Sequence, residues 1–236
     1  VMESHERSGL TAKAFYGWLQ ERAGNRVVVD KSPTYALDLE ALHNAEHGFE
    51  EPRYIHLIRD PLAMSHSFES YHMDQILPLL ENPYSGRTLG ELVWTLSHRN
   101  ILEFAEIVPA ERLLRLRFEE LVADPRSAMT EVSRFLGVDF EESLVRPYEN
   151  LESKMVDGLY SESTPMGDTR LLERDHIDPK AAITVTPTAA DQVLGKPTRH
   201  LVRQLGDGGG QTTEAAGRRR FADAARRRRA TGNSRD

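Results

Sequence analysis

One short segment constrains the fold of this chain more than any other, because a β-prone run in it turns directly into a helix. Residues 54–58 read Tyr-Ile-His-Leu-Ile and are followed by Arg59. Asp60 is a residue type that caps helix N-termini, and Pro61 stands at the first helical position, where a missing N–H is harmless. Apolar residues at helical spacing then predict a helix over 61–77. A strand that leads at once into a helix is typical of α/β proteins.

The turn between this strand and this helix is also a candidate anion site. Arg59 offers a planar fork of donors, and a helix N-terminus adds N–H groups and the positive end of its dipole. Ser67 lies eight residues beyond Arg59, about two helical turns along, and offers a hydroxyl donor. The alternative is an ordinary strand–turn–helix in which Arg59 pairs with a surface carboxylate. The segment alone leaves both interpretations open.

The remaining periodicity predicts a single α/β domain over residues 1–183. Strands are expected at 26–30, 53–58 and 112–118, and helices at 10–23, 37–48, 61–77, 88–107 and 125–136. Residues 27–29 (Val-Val-Val) indicate a fully buried strand, and Thr88 is the predicted N-cap of the longest helix. The predicted core face of that helix holds Leu89, Leu92, Val93, Leu96, Ile101, Phe104 and Ala105. Apolar strands that alternate with helices predict three layers, a parallel sheet with helices on both faces.

The charge of the chain is unevenly distributed. The formal net charge is −7, but residues 207–236 hold eight arginines and four acidic residues, so the remainder carries about −11. An acidic body argues against nucleic acid as a partner. The basic stretch follows three glycines and has Phe221 as its one aromatic residue, so it lacks apolar surface to bury. We therefore expect 184–236 to be a degenerate, disordered tail rather than a nucleic-acid-binding segment.

Composition also bears on the compartment. No run of residues is long and apolar enough to predict a membrane span, and residues 1–5 do not resemble a signal peptide. The sequence contains no cysteine, which excludes disulfides and thiolate metal sites. We therefore expect a cytoplasmic protein with no membrane partner.

Three segments resemble the family of PAPS-dependent sulfotransferases, and they occur in the family's order. Arg59-Asp60-Pro61 with Ser67 is similar to the family's 3′-phosphate-binding segment. Residues 27–35, Val-Val-Val-Asp-Lys-Ser-Pro-Thr-Tyr, resemble its acid-Lys-Ser/Thr-Pro-x-Tyr stretch. Residues 112–137, from Arg-Leu-Leu-Arg-Leu-Arg-Phe-Glu-Glu-Leu to Phe-Leu-Gly, resemble its Arg-Tyr-Glu-Asp-Leu strand and the following helix. The resemblance covers roughly residues 15–180.

This resemblance implies a P-loop NTPase-like sulfotransferase fold, with PAPS (3′-phosphoadenosine 5′-phosphosulfate) as the sulfuryl donor and no metal. Arg59 and Ser67 would bind the 3′-phosphate. The family's strand and Pro-Lys/Arg-Ser-Gly-Thr-Thr loop, which cradle the 5′-phosphosulfate, have no counterpart in residues 1–30. The expectation is therefore an N-terminally truncated domain that is inactive as it stands.

The resemblance also assigns roles to Asp30 and Lys31. Asp30 matches, in position, the glutamate that acts as base in glycan sulfotransferases, and Lys31 matches the lysine that meets the sulfuryl bridge. Neighbouring side chains of an extended segment point to opposite faces, so both reach the reacting atoms only if the turn twists them together. The alternative is a salt-bridged Asp–Lys pair that caps the next helix.

His176 is a second candidate for the base. It lies in a stretch, residues 165–179, that resembles the Pro-Met-Gly-Asp-Pro…Ile-Asp-Pro segment of bacterial sulfotransferases fused to polyketide synthases, although Thr169 replaces a proline. In that branch the acceptor is the β-hydroxyl of an acyl chain on an acyl carrier protein. The alternative acceptor is a free small-molecule or glycan hydroxyl. His56, within the apolar strand, is expected to be a core histidine instead.

Two other classes of protein remain open from the sequence. A P-loop kinase or nucleotide hydrolase needs a Gly-x-x-x-x-Gly-Lys-Ser/Thr loop, which residues 1–236 do not contain. A non-catalytic shell would bind the 3′-phosphate end of the nucleotide, or a carrier protein, without transferring the sulfuryl group.

Overall fold

The structure, a computed structural model, describes residues 11–73, 83–151, 172, 174–178 and 194–207. Across these ranges it contains seven α-helices and two strands. None of the helices in these ranges is both long and apolar enough to cross a bilayer. The predicted helical residues beyond 73 in the 61–77 segment lie outside the described ranges.

The helices and strands follow one another in α/β order. In chain order they are α1 (Ala12–Ala23), α2 (Leu39–Gly48), β1 (Tyr54–Ile58), α3 (Pro61–Ser70), α4 (Gly86–Phe104), β2 (Leu113–Arg117), α5 (Phe118–Ala123), α6 (Pro125–Leu136) and α7 (Lys196–Asp207). Short 3₁₀ turns lie at Pro33–Leu37, Ala110–Arg112 and Glu142–Val145. The predicted α/β class is confirmed, and β1, β2 and α6 match their predicted bounds to within a residue.

The sheet of the described residues is parallel and pairs β1 with β2. The predicted buried strand at 26–30 is wrong. Residues 27–32 form neither a helix nor a strand, and Val27 and Val29 are 46% and 73% exposed. A strand is stabilised by a ladder of hydrogen bonds to a neighbour, and valine-rich composition cannot supply that neighbour.

The chain divides into two compact units. Unit 1 comprises Val1–His56, Met64–Arg115 and Asp191–Asp236, and unit 2 comprises Leu57–Ala63 and Leu116–Ala190. In unit 1, the long helix α4 contacts α2, α7 and the 3₁₀ turn at Pro33–Leu37. In unit 2, α5 packs on α6, and α6 contacts the 3₁₀ turn at Glu142–Val145.

The buried face of α4 differs from the predicted one. Leu89, Trp94 and Phe104 are buried, whereas Leu92 is 49% exposed. The buried positions also include polar residues that hydrophobic periodicity cannot identify, namely Glu91, His98 and Asn100. The helix also begins earlier than predicted. Ser85, not Thr88, is the N-cap, and its hydroxyl accepts a hydrogen bond from the Thr88 N–H at 3.2 Å.

The two ends of α6 are capped as expected. The Asp124 carboxylate accepts a hydrogen bond from the Ser127 N–H at 3.0 Å, and Pro125 occupies the first turn. Gly137 ends the helix with φ 75°, in the left-handed region that glycine adopts without steric cost. These signals lie within a few residues of the helix that they delimit, so the sequence alone was sufficient to place it.

The C-terminal expectation needs a correction. Lys196–Asp207 is not a disordered tail but helix α7, with Thr198, Leu201 and Leu205 buried. Glu91 of α4 accepts hydrogen bonds from the Gly195 N–H (2.7 Å) and the Thr198 hydroxyl (2.5 Å). A partner more than one hundred residues away in sequence therefore stabilises a helix that lacks a strong local signal. Residues 208–236 lie outside the described ranges.

Candidate active site

The segment that joins β1 to α3 is built as the sequence predicts. Asp60 caps the helix, because its carboxylate accepts a hydrogen bond from the Ala63 N–H at 2.9 Å. The Asp60 N–H in turn donates to Glu119 of α5 at 2.8 Å. Glu119 belongs to the third resembling segment, so this bond links two of the three motifs within unit 2. No sequence signal pairs residues this far apart.

These two hydrogen bonds change the expected anion site. The backbone N–H groups of Asp60 and Ala63 donate to carboxylates of the protein itself. They are therefore already engaged in this structure and do not await an anion. Recognition of an anion at this turn would rest on the side chains instead.

Arg59 supplies the cation at this turn. It is half-buried, and its guanidinium carbon lies 4.7 Å from the centroid of the Phe118 ring. Stacking on an aromatic face orients the planar guanidinium. Ser67 lies on α3, half-buried, in the part of that helix that belongs to unit 1. Arg59 itself belongs to unit 2.

The second cluster surrounds Asp30 in unit 1. The Tyr16 hydroxyl donates to Oδ2 of Asp30 at 2.8 Å, and the Ser32 hydroxyl donates to Oδ1 at 2.9 Å. Partial burial raises the pKa of Asp30, but the hydrogen bonds from Tyr16, Ser32 and Tyr35 outweigh it, so the pKa lies below its ordinary value. Burial and the bond to Asp30 raise the pKa of Tyr16 above its usual range.

Lys31 follows Asp30 directly and is exposed. Within the described part of the chain, no hydrogen bond or ion pair engages its ammonium group. The salt-bridged Asp30–Lys31 pair considered from the sequence is therefore not formed. The Asp30 carboxylate instead accepts hydrogen bonds from the hydroxyl groups of Tyr16 and Ser32. The Lys31 ammonium is therefore available to a ligand.

His176 lies in unit 2 and is 71% exposed on its side chain. Its Nδ1 donates to the carboxylate of Asp175, since a carboxylate can only accept, and this bond lowers the pKa of Asp175. Nδ1 thus carries the proton in neutral His176, and Nε2 is the nitrogen that can accept one. Thr169 and most of the surrounding 165–179 segment lie outside the described residues.

His56 is a core residue, as predicted, but it has a partner that the sequence did not indicate. Its Nε2 lies 2.7 Å from Nδ1 of His98 on α4, and the two residues are 4% and 6% exposed. Burial, with smaller contributions from His98 and Arg115, lowers the pKa of His56 to about 3, and burial lowers that of His98 to about 4. Both rings are therefore neutral at ordinary pH, and neither is exposed to a substrate.

The predicted site residues thus belong to two separately described groups. Asp30, Lys31 and Ser67 lie in unit 1, and Arg59 and His176 lie in unit 2. Sequence reasoning gave no role to three residues that contact them, Tyr16, Phe118 and Asp175, or to Glu119, which accepts a hydrogen bond from Asp60. Phe118 and Glu119 lie within the third resembling segment and Asp175 within the 165–179 segment, whereas Tyr16 lies in no recognised motif.

Comparison with known proteins identifies the family. The family model described as "Sulfotransferase family" matches residues 3–142, which is more than half of the chain. The chain belongs to the sulfotransferase family, and its fold is the α/β fold of sulfotransferase domains.

Two characterised relatives share modest identity. Nodulation protein NoeE of Sinorhizobium fredii is 29% identical over 188 residues, which are 75% of this chain and 42% of NoeE. Omega-hydroxy-beta-dihydromenaquinone-9 sulfotransferase Stf3 of Mycobacterium tuberculosis is 29% identical over 121 residues, which are 49% of this chain and 30% of Stf3. The chain thus spans less than half the length of either relative.

Two solved structures are similar over most of the chain. The sulfotransferase domain from the curacin biosynthetic pathway has a TM-score of 0.70 and 31% identity, covering 82% of this chain and 67% of that one. The sulfotransferase domain from the Synechococcus PCC 7002 olefin synthase has a TM-score of 0.65 and 34% identity, covering 82% and 63%.

Proposed function

We propose that this protein transfers a sulfuryl group from PAPS to an acceptor hydroxyl. The observation that supports this proposal most directly is the segment at the end of β1. There Arg59 follows the strand, stacks on Phe118 and precedes a capped helix that carries Ser67. A guanidinium oriented in this way suits a phosphate that carries two charges, which is the group that distinguishes PAPS from ordinary adenosine nucleotides.

The chemistry requires a second cation. Departure of the sulfuryl group leaves negative charge on the 5′-phosphate, as in phosphoryl transfer, and the protein must stabilise that charge. In our proposal Lys31 supplies part of this stabilisation, because its ammonium is exposed and is not engaged within the described residues. The 5′-phosphosulfate loop of the family is not present in residues 1–236. We therefore propose that these 236 residues alone bind the nucleotide but turn over slowly.

A base must accept the proton of the acceptor hydroxyl. Asp30 and His176 are the two candidates, and their surroundings differ. Both oxygens of Asp30 accept hydrogen bonds, and its lowered pKa makes it a weaker base than an ordinary aspartate. His176 exposes its side chain, and Asp175 orients the ring so that Nε2 is the accepting nitrogen. The geometry therefore favours His176.

The acceptor that we propose is the β-hydroxyl of an acyl chain on an acyl carrier protein. Support comes from the two similar structures, which are sulfotransferase domains of the curacin pathway and of an olefin synthase. Sulfation of such a hydroxyl has a chemical purpose, because sulfate leaves far more readily than hydroxide. The competing acceptor is a free small-molecule or glycan hydroxyl.

Two measurements test this function. Calorimetry of the 236-residue chain with adenosine 3′,5′-bisphosphate and with adenosine 5′-monophosphate asks whether the 3′-phosphate is recognised. Mass spectrometry then follows transfer from PAPS, by the natural full-length protein, to a 3-hydroxyacyl carrier protein, to the free 3-hydroxyacyl thioester and to a glycan. Equal affinity for the two nucleotides, or no transfer to any acceptor, would contradict the proposal. Transfer only to the free thioester or the glycan would overturn the carrier-protein acceptor alone.

A further inference from the structure

The hydroxyl groups around Asp30 come from two separate parts of unit 1. Ser32 and Tyr35 belong to the same short motif as Asp30, two and five residues beyond it, and both hydrogen-bond to its carboxylate. Tyr16 belongs to α1, fourteen residues earlier, and donates to Oδ2 at 2.8 Å. The motif thus folds as a turn around one carboxylate, and Tyr16 connects that turn to a helix.

The ring of Tyr16 is itself fixed. It packs edge-to-face on Phe49, with the ring centroids 5.2 Å apart, and edge-to-face on Phe15 at 6.0 Å. Edge-to-face contacts of this kind restrain the orientation of an aromatic ring. The Tyr16 hydroxyl is therefore presented to Asp30 by a packed side chain, not by a mobile one.

This arrangement has a consequence for Lys31. Lys31 follows Asp30 directly, so its backbone is joined to the residue whose carboxylate Tyr16 and Ser32 hold. No other described contact restrains the ammonium, so the backbone at Asp30 sets where Lys31 can reach.

We propose that Tyr16 is a positioning residue of the sulfotransfer site, and that Asp30 is the anchor through which it holds Lys31 and not the base. The proposal rests on the proposed function, because it assigns the role of the Asp30–Lys31 pair within that reaction. It reverses the role that the family resemblance gives to Asp30. It also adds Tyr16, which lies outside every recognised motif.

The first test is a pH profile of turnover in the natural full-length protein. Tyr16→Phe removes one hydroxyl and keeps the ring that packs on Phe49. We expect kcat to fall on the order of 10-fold at every pH, because one hydrogen bond to a charged group is lost. The pH at which activity declines on the acidic side should stay the same. Asp30→Asn should cause a similar loss, and the double variant should be no worse than either, because both remove one anchor.

A different profile would overturn the proposal. If Asp30 is the base, Tyr16→Phe removes a donor that lowers the pKa of Asp30, and the acidic limb moves to higher pH. Asp30→Asn would then cost on the order of 10²–10⁴-fold in kcat. Unchanged kcat in Tyr16→Phe would equally exclude a positioning role.

The second test does not depend on turnover. Acylation of the Lys31 amine is followed by mass spectrometry in the 236-residue chain, with and without adenosine 3′,5′-bisphosphate. We expect the nucleotide to protect Lys31 in the wild type and to protect it several-fold less in Tyr16→Phe. Tyr54→Phe is the matched control, because it also removes a tyrosine hydroxyl that donates to a carboxylate, Glu46 at 3.0 Å, elsewhere in unit 1. Protection in that variant should equal the wild type.

The outcomes separate the two proposals. Absence of nucleotide binding in the wild type would overturn the proposed function, and this assignment with it. Normal binding with full protection of Lys31 in Tyr16→Phe would overturn the assignment of Tyr16 alone. Reduced protection in Tyr54→Phe as well would show that any tyrosine–carboxylate bond matters, which also contradicts a specific positioning role.

Discussion

The side-chain amide of Asn100 donates a hydrogen bond to the backbone carbonyl of Ala36 at 3.0 Å. Asn100 is buried on α4, and Ala36 lies in the 3₁₀ turn that follows the Asp30–Lys31 stretch. The longest of the described helices therefore holds this turn through a buried side-chain hydrogen bond. Asn100→Ala leaves a carbonyl without its donor, and such a loss costs about 1–3 kcal/mol.

We expect Asn100→Ala to lower the free energy of unfolding by that amount, measured by urea denaturation with the slope unchanged. Gln204→Ala, on the exposed surface of α7, is the control and should be neutral. An equal effect of the two substitutions would show that the bond to Ala36 contributes nothing specific.

Arg59→Ala tests the anion site. Loss of a charge-assisted hydrogen bond should weaken binding of adenosine 3′,5′-bisphosphate by ~2–3 kcal/mol in calorimetry. Binding of adenosine 5′-monophosphate, which lacks the 3′-phosphate, should barely change. Arg126→Ala is the control, because it removes another arginine of unit 2, paired with Glu142 on the surface. Equal losses for both nucleotides would indicate misfolding and contradict the assignment.

His176→Gln tests the base in the natural full-length protein. Turnover should fall on the order of 10²–10⁴-fold, with the affinity for adenosine 3′,5′-bisphosphate retained, because only the proton acceptor is lost. Asp175→Asn should also slow turnover, since the amide can donate as well as accept and therefore no longer fixes the tautomer of the ring. His200→Gln, an exposed histidine of α7, serves as the control. A mild effect of His176→Gln would mean that the base lies elsewhere.

The buried pair His56–His98 predicts a loss of stability in acid. The folded pKa values, about 3 and about 4, lie below the unfolded value of about 6.5, so only the unfolded chain binds these protons between about pH 6.5 and 4. Stability is fully present above about pH 6.5 and falls as the pH drops, by ~1.4 kcal/mol per pH unit for each proton.

Urea unfolding at about pH 7 and about pH 5 measures this slope. His98→Gln removes one of the two titrating rings and should reduce the slope by roughly one proton. His200→Gln, which removes an exposed histidine, should leave it unchanged. An acid slope in His98→Gln as steep as in the wild type would disprove the contribution of the pair.

Gly90→Ala tests the contact between α3 and α4. A Cβ at Gly90 would lie 2.9 Å from the Ser65 Cα and from the Phe68 Cβ, so the helices would have to separate. We expect destabilisation of ~1–3 kcal/mol, the usual effect of overpacking, and weaker nucleotide binding because Ser67 lies on the displaced helix. Gly17→Ala is the control with the opposite sign. Its Cβ meets nothing within 4 Å, and alanine favours the helix α1.

The parts of the fold that the sequence predicted well are those with local signals. Helix α6 is delimited by Asp124, Pro125 and Gly137, and the turn after β1 by Asp60 and Pro61, all within one turn of the boundaries that they set. The prediction of a buried strand at 26–30 was wrong because its three valines indicate only a preference for the β conformation. Whether such a segment joins a sheet depends on neighbours that lie far away in the sequence.

In the candidate site, too, local signals were predictable and distant contacts were not. The motifs identified Asp30, Lys31 and Arg59 as candidates, but the hydrogen bonds around them join residues 14 and 59 positions apart. Tyr16 lies in no recognised motif, and the segment that contains Glu119 does not indicate its partner Asp60. Hydrophobic periodicity failed at Glu91 for a related reason, since a buried carboxylate is stable only once its partners in α7 are present.

The hydrogen bonds from Gly195 and Thr198 to Glu91 also bear on how unit 1 folds during translation, because they can form only after residues 195–198 have been synthesised. Glu91 is synthesised 104 residues before Gly195, so for much of translation α4 carries a carboxylate whose partners do not yet exist. Until those partners are made, burial of Glu91 lacks the hydrogen bonds that offset its loss of hydration. Gly195 and Thr198 supply these hydrogen bonds. A chain stalled on the ribosome before residue 195 therefore lacks these contacts to α4, and we expect proteases to cleave its unit 1 faster than that of the released chain.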